Sequence, residues 1–407
     1  MSANIPLSRQ EIGFFIDENT QIGLVRKTCF DRGVKNIDVI ADCYQQVKER
    51  QTLDRTWCYE NFTERGSDSS GTVINFATGQ EQDCVIWPIN HYLALNRNEY
   101  VLQQSKDAID QFGTGCGTSA MSGGHNKLHK ILESRLATML GKEDSILFST
   151  GYSANLGAIS GLAKGSNNLI LVDRECHASI IDGCKLAGCE FLPFRHNDTV
   201  DLEKKLTKYH HKYDNVLIIV ESVYSMTGEV SPLRKIIELK KKFPCYLFVD
   251  EAHAFGLYGS RRGGVCDHLQ CQDDVDFIMT SLSKATGSIG GVVACSKKFK
   301  TLLQVEANAY LFQAALPPSD TAAVLAALDV IEQNHSIVDS VWSKTKYMRK
   351  RLAQNGFDIG MGESPIIPVY VRDSALLMKI GFEMFEKGIF TTSVAYPVVK
   401  HTEVRFP

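Results

Sequence analysis

The chain has 407 residues, enough for one large α/β domain with a smaller companion, and its 44 basic and 47 acidic residues leave a formal net charge of −3. That mixture excludes the polycationic surface that holds nucleic acid or anionic lipid, so a small-molecule ligand is expected. No apolar run approaches the ~20 residues of a membrane helix, nothing in "MSANIPLSRQEIGFF" reads as a secretory leader, and the 12 cysteines lie singly, the usage of a reduced cytoplasmic protein.

Residues 1–75 read as a polar lead with one helix, "NIDVIADCYQQVKERQ", whose Val39, Ile40, Cys43, Tyr44 and Val47 share a face. The stretch "ENFTERGSDSSGT" reads as a loop, and a large domain over 76–315 is expected beyond it. Short apolar strands then alternate with helical patterns: "DSILFST" with "ANLGAISGLA", "NLILVD" with "ASIIDGCKLA", "NVLIIVES" with "PLRKIIELKKK", then "YLFVDEAHA" and "DFIMTSLS". This alternation predicts an α/β fold with a largely parallel sheet flanked by helices on both faces. From about residue 316 a long helix, "PSDTAAVLAALDVIEQNH", followed by "SPIIPVYV" and "GIFTTSVAYP", predicts a smaller α+β domain over 316–407.

Ligands of such sheets gather at the carboxyl ends of the strands, so the residues there carry the functional argument. "LFVD" ends in Asp250, followed by Glu251 and His253; "LILVD" leads to His177; "LIIVES" ends in Glu221 and Ser222. "ILFSTGY" runs through Thr150, Gly151 and Tyr152 into a helix, where backbone N–H groups face an anion. In "TSLSKATGSIGG" a lysine, Lys284, sits among hydroxyls and glycines, with Ser281 and Ser283 beside it. Alone, such a lysine is more often a solvated charge, and Asp250 with His253 is more often a satisfied pair at a strand end. Together they suit pyridoxal phosphate: its aldehyde needs a lysine, its pyridine nitrogen a carboxylate, its phosphate a cradle, and a flat side chain such as His177 can stack on its ring.

Six segments in order, "GTGCGTSAMSGGHNKLHKILESRLATMLGKEDSILFSTGYSAN", "HASIIDG", "FRHND", "ESVYSMTGEVSPL", "VDEAHAFGLYGSRRGGV" and "SLSKATGSIGG", resemble the α-oxoamine synthases over roughly residues 75–405. These are fold-type I pyridoxal-phosphate enzymes that join an amino acid to an acyl-CoA and release CoA and usually CO2. The resemblance implies that Lys284 forms the Schiff base and moves the α-proton, that Asp250 pairs with the ring nitrogen, and that His253 bonds the phenolic oxygen. It implies that His177 stacks on the ring, that Thr150, Gly151, Tyr152 and Ser281 hold phosphate, and that Ser222 lines the pocket. His129 matches a histidine that meets the substrate, and Arg405 an arginine that binds the amino-acid carboxylate, for which a bidentate fork is suited. A homodimer with the site at the subunit interface is also implied.

Where aminolevulinate synthase carries an arginine and an asparagine, this chain has Ser119, Ala120 and Met121, which favours a hydrocarbon-like acyl group over succinyl. Gln313, Ala314 and Ala315 replace the hydroxyl-bearing residues that reach a neighbouring subunit's phosphate, and the sequence stops at Pro407 where the family continues with a strand and a helix, so a truncated terminal domain is expected. A non-catalytic partner subunit of a heteromeric synthase is the alternative, opposed by the retention of Lys284, Asp250, His253, His177 and His129. His125 and His129 lack the glutamate of a zinc helix, and the pairs Cys184/Cys189 and Cys266/Cys271 lack matching second pairs, so no metal is expected.

Overall fold

The computed structural model describes residue 16 and residues 20–407 apart from 58, 77 and 397. They gather into two compact units, one of the described residues up to Ile89 with Arg349–Gly360 and Ile367–Pro407, the other of Asn90–Met348 and Met361–Ile366.

In the first unit the helix Ile37–Leu53 starts where the Asn36 side chain accepts the N–H of Asp38. Its Ile40, Cys43 and Val47 bury against Val25 and Cys29, with Val39 and Tyr44 partly buried alongside, so the apolar face read from the sequence is the packed one. The stretch expected to be a loop instead carries β1 (Phe62–Thr63) and the start of β2 (Ser70–Ile74), which continue into β3 (Glu81–Ile86) as an antiparallel meander. Polar residues hid the strand because one face of it is solvated; Val73, on the other face, is fully buried with Cys84, Ile86 and Phe385. Ile389–Phe390 adds to β3 in parallel.

The second unit is built on a seven-stranded sheet of β4 (Asp144–Phe148), β5 (Asn168–Asp173), β6 (Glu190–Phe194), β7 (Asn215–Glu221), β8 (Tyr246–Asp250), β9 (Phe277–Ser281) and β10 (Gly291–Cys295), in the order β4-β10-β9-β8-β7-β5-β6. Strands β5 to β9 pair in parallel, and β10 runs antiparallel between β9 and β4. Alternate residues go to opposite faces: Leu171, Ile218, Val249 and Ile278 to one core, Val172, Ile219, Phe248 and Met279 to the other. Both faces are covered, which is why these strands read as unbroken apolar runs.

The division by contacts differs from the expected boundaries at 75 and 315. The helix Pro318–Gln333, expected to open a terminal domain, lies in the second unit, where its Ala323, Ala326, Ala327 and Ile331 bury with Val101 of the helix Glu99–Phe112 and with Leu93 and Leu95.

Candidate functional site

Parallel pairing brings the carboxyl ends of β7, β8 and β9 together, with Glu221 opposite Asp250 and Asp250 opposite Met279. A cavity of about 340 Å³ opens there, lined among others by Thr150, Gly151, Tyr152, His177, Asp250, His253, Ser281 and Lys284. That volume is in the range of small-molecule sites.

Thr150 caps the helix Gly151–Leu162: its hydroxyl accepts the N–H of Ser153, and Ser153 Oγ accepts the N–H of Thr150. A Cβ on Gly151 would lie 2.9 Å from both Cβ and Oγ of Ser281, so only glycine lets β9 approach this helix start. Ser281 and Ser283 share a hydroxyl contact of 2.8 Å, which gathers two hydroxyls at the helix N-terminus. The loop carrying Lys284 closes with Leu282 N–H donating to Gly290 O at 2.9 Å, and Gly290, at φ +123°, takes a turn unfavourable to side chains.

Asp250 is 5% exposed, and both carboxylate oxygens are engaged at 2.8 Å, Oδ1 by the N–H of Ala252 and Oδ2 by the Asn155 amide. Asn155 also donates to Ser179 Oγ at 3.0 Å, while its Oδ1 is buried without a partner. Lys284 Nζ lies 2.7 Å from His253 Nε2, and Tyr92 Oη lies 2.8 Å from His253 Nδ1. Burial lowers the Lys284 ammonium from its ordinary range although Asp250 and Glu221 pull the other way. Burial, then Lys284, holds His253 well below the usual imidazole value, so it is neutral at pH 7. His177 caps the helix Ala178–Leu186, its Nδ1 taking the Ser179 N–H at 3.2 Å, and its ring remains exposed at the cavity.

Other expected site residues lie elsewhere. Ser222 is fully buried with its hydroxyl turned to Glu251 Oε2 at 2.5 Å; strand alternation sends it away from the cavity, and Glu221 lines it instead. His129 is 0% exposed and belongs to a helix start: Nδ1 takes the N–H of Asn126 at 3.1 Å and Nε2 donates to Leu316 O at 2.7 Å. It completes a capping box with Asn126 and does not line the cavity. Met121 is 50% exposed and also outside the lining. Arg405 belongs to the first unit, 2% exposed, donating to Tyr370 Oη at 2.5 Å, with its guanidinium 4.5 Å from that ring's centroid. Sequence reading passed over Asn155 and Tyr92 as site residues. Asn155 stands inside the quoted segment "FSTGYSAN", where the signal was a polar side chain in an otherwise apolar helix.

Behind Asp250, Glu251 is a fully buried carboxyl held by Ser222 and by the N–H groups of Val265 at 2.9 Å and Cys266 at 2.7 Å. Gly264 sits against it at φ +107°, where a Cβ would fall 2.3 Å from Glu251 Oε2. Gly264→Ala is therefore expected to cost about 3 kcal/mol or more, as strain and an unseated carboxyl add. Urea unfolding of the purified variant checks this, and a loss under about 1 kcal/mol would show that the loop relaxes freely.

A lysine following one parallel strand and an aspartate ending its neighbour, at the mouth of a doubly covered sheet, define a fold-type I transferase architecture. Residues 82–406 match the family Aminotransferase class I and II. Serine palmitoyltransferase of Bacteroides thetaiotaomicron is 39% identical over 78% of this chain and 80% of that protein. The 8-amino-7-oxononanoate synthase of Lysinibacillus sphaericus is 34% identical over 80% of this chain and 85% of its own length. Among solved structures, a lysine-to-alanine variant of serine palmitoyltransferase from S. paucimobilis with bound PLP–myriocin aldimine superposes with a TM-score of 0.85 at 27% identity, covering 91% of this chain and 92% of that one. The chain belongs to the aminotransferase class I and II family and, within it, to the α-oxoamine synthases.

Proposed function

We propose that this protein uses pyridoxal phosphate to condense an amino acid with an acyl-CoA, releasing CoA and CO2, and that its acyl group is hydrocarbon-like. The observation that carries this reading is the grouping of Lys284, His253, Asp250 and His177 around one cavity whose floor is a helix start cleared by Gly151. The cavity fits the cofactor: its depth is closed by buried acids, a Cβ at Gly151 would fill its anion seat, and hydroxyls and N–H donors converge there. The relatives described above act on substrates of this kind, which supports the same reaction class here.

When bound, pyridoxal phosphate supplies a carbonyl carbon for an amine and a protonated ring that withdraws electrons from the substrate's α-carbon. The protein's residues do the rest. Lys284 presents an amine that burial shifts toward its neutral, nucleophilic form, and the same Nζ is placed to take and return a proton. Asp250, its carboxyl fixed by Asn155 and Ala252, would hold a proton on the ring nitrogen. Neutral His253, oriented by Tyr92, would bond the phenolic oxygen, and His177 would cover one ring face. The N–H groups at Gly151 and Tyr152 with the Ser281 hydroxyl would take the phosphate.

The stretch Ser119, Ala120 and Met121, in place of the arginine and asparagine of aminolevulinate synthase, supports an apolar acyl chain over a dicarboxylic one. We further infer a homodimer, supported by apolar side chains left open on this unit, among them Phe312 at 81% and Ile289 at 41%. A cytoplasmic setting is supported by the 11 free cysteines among the described residues, none of whose helices is long and apolar enough to cross a membrane. The test is a visible spectrum of protein loaded with pyridoxal phosphate, before and after glycine, alanine or serine, followed by a thiol-release assay with succinyl-CoA and palmitoyl-CoA. A band that shifts with one amino acid and turnover with the long acyl chain are expected. A colourless protein under saturating cofactor points to a non-catalytic partner subunit, and preference for succinyl-CoA overturns the acyl assignment.

A further inference from the structure

Asp250 and Glu221 are the two carboxyls lining the cavity, and the reaction as read above gives work only to Asp250. Glu221 ends β7 as the register partner of Asp250 on β8, so both side chains leave the sheet on one face from strands about 4.8 Å apart. They are 2% and 5% exposed, and a single ammonium, that of Lys284, faces the pair. Two buried carboxyls side by side with one amine facing both cannot ionise together without a large cost, and such a pair retains a proton. Asp250 has a side-chain amide and a main-chain N–H donating to its two oxygens, whereas Glu221 has no side-chain donor among its described hydrogen bonds. Glu221 Oε1 accepts the main-chain N–H of His177, the residue whose ring lies open at the cavity.

We propose that Glu221 is a positioning residue of the cofactor site: as a neutral acid it pins the main chain of His177 and leaves Asp250 as the one anion facing the pyridine position. This inference rests on the pyridoxal-phosphate reading for its purpose, but the protonation of Glu221 is a property of the protein alone. Burial and then Asp250 push the Glu221 carboxyl up to about 8, against the opposing pull of Lys284 and of the His177 and Ser225 N–H groups. The titratable groups packed around it are Asp250 on β8, Lys284 after β9, Cys176 and His177 after β5, and Tyr224 after β7. A carboxyl whose folded value lies above its unfolded one costs stability as pH rises, so this contribution falls between about 4.5 and 8 and levels off beyond.

The experiment compares wild type, Glu221→Gln and Glu221→Ala in two ways. Melting of the cofactor-free chains is followed from pH 5 to 9, and pyridoxal phosphate is titrated into each at pH 7.5 by absorbance. Glutamine keeps the acceptor for His177 and carries no proton to lose. Its melting curve is expected to gain on wild type steadily up to about pH 8, and its cofactor affinity to stay within about threefold, while alanine, which leaves the His177 N–H unpaired, loses about tenfold. Parallel melting curves for wild type and Glu221→Gln overturn the neutral acid. Equal loss of affinity in Glu221→Gln and Glu221→Ala overturns the positioning role, and this comparison holds even if the alanine chain folds poorly, because glutamine alone is then expected to match wild type. Should wild type itself bind no pyridoxal phosphate, the cofactor reading fails separately, and the melting comparison still decides the state of Glu221.

Discussion

Lys284→Ala is expected to lower thiol release from acyl-CoA by at least about 10³-fold, the scale set by losing both an amine nucleophile and a proton carrier. Lys284 is the one amine among the residues lining the cavity, so no neighbour replaces it. Its surroundings prepare it: Asp250 attracts the ammonium, burial opposes it, and burial wins, which leaves a larger neutral fraction at pH 7 than an exposed lysine has. His253 at 2.7 Å, itself neutral, gives that amine a fixed direction without adding a competing charge. The cofactor's visible band is expected to revert to that of the free aldehyde, and a small primary amine such as methylamine is expected to restore part of the lost rate. Unchanged turnover in a variant shown by mass to lack the lysine would sink the mechanism.

Much of this site was legible because each residue closes a strand. Lys284, Asp250, His253 and the Thr150–Tyr152 turn follow apolar runs whose length and flanks mark them as buried parallel strands, and one end of such a sheet is where ligands sit. What stayed hidden is a matter of facing and register. Glu221 and Ser222 are adjacent in sequence and lie on opposite sides of β7, and only pairing with β8 shows that Glu221 shares the face of Asp250. His129 was singled out because it matches a family histidine that meets the substrate; in the fold it is fully buried and completes a capping box with Asn126 at the start of an apolar helix, a role that the pattern Asn126 to His129 also allows. The antiparallel β10 was passed over because "GVVAC" follows the lysine loop with no helix between, and the alternation of strand and helix was the signal being followed.

The second large effect belongs to Asp250→Asn, which alters charge while keeping shape. In the wild type both oxygens accept hydrogen bonds, one from Ala252 N–H and one from the Asn155 amide. An asparagine at 250 must turn an NH2 toward one of these donors, so either orientation sets two donors against each other in a buried site, and about 1–3 kcal/mol of stability is expected to go. The catalytic loss is larger and has a different cause. A neutral amide does not hold a proton on a ring nitrogen, so the α-carbon of a bound amino acid loses its electron sink, and turnover is expected to fall about 10³-fold. Cofactor retention is expected to change far less, because Lys284 and the anion seat proposed at Gly151 and Ser281 are untouched. The two effects separate by following exchange of the amino acid's α-proton in D2O by NMR alongside cofactor absorbance. Exchange lost with the band retained supports the assignment, whereas loss of both to the same degree would make Asp250 a scaffold for the cavity and shift the electrostatic role to Glu221.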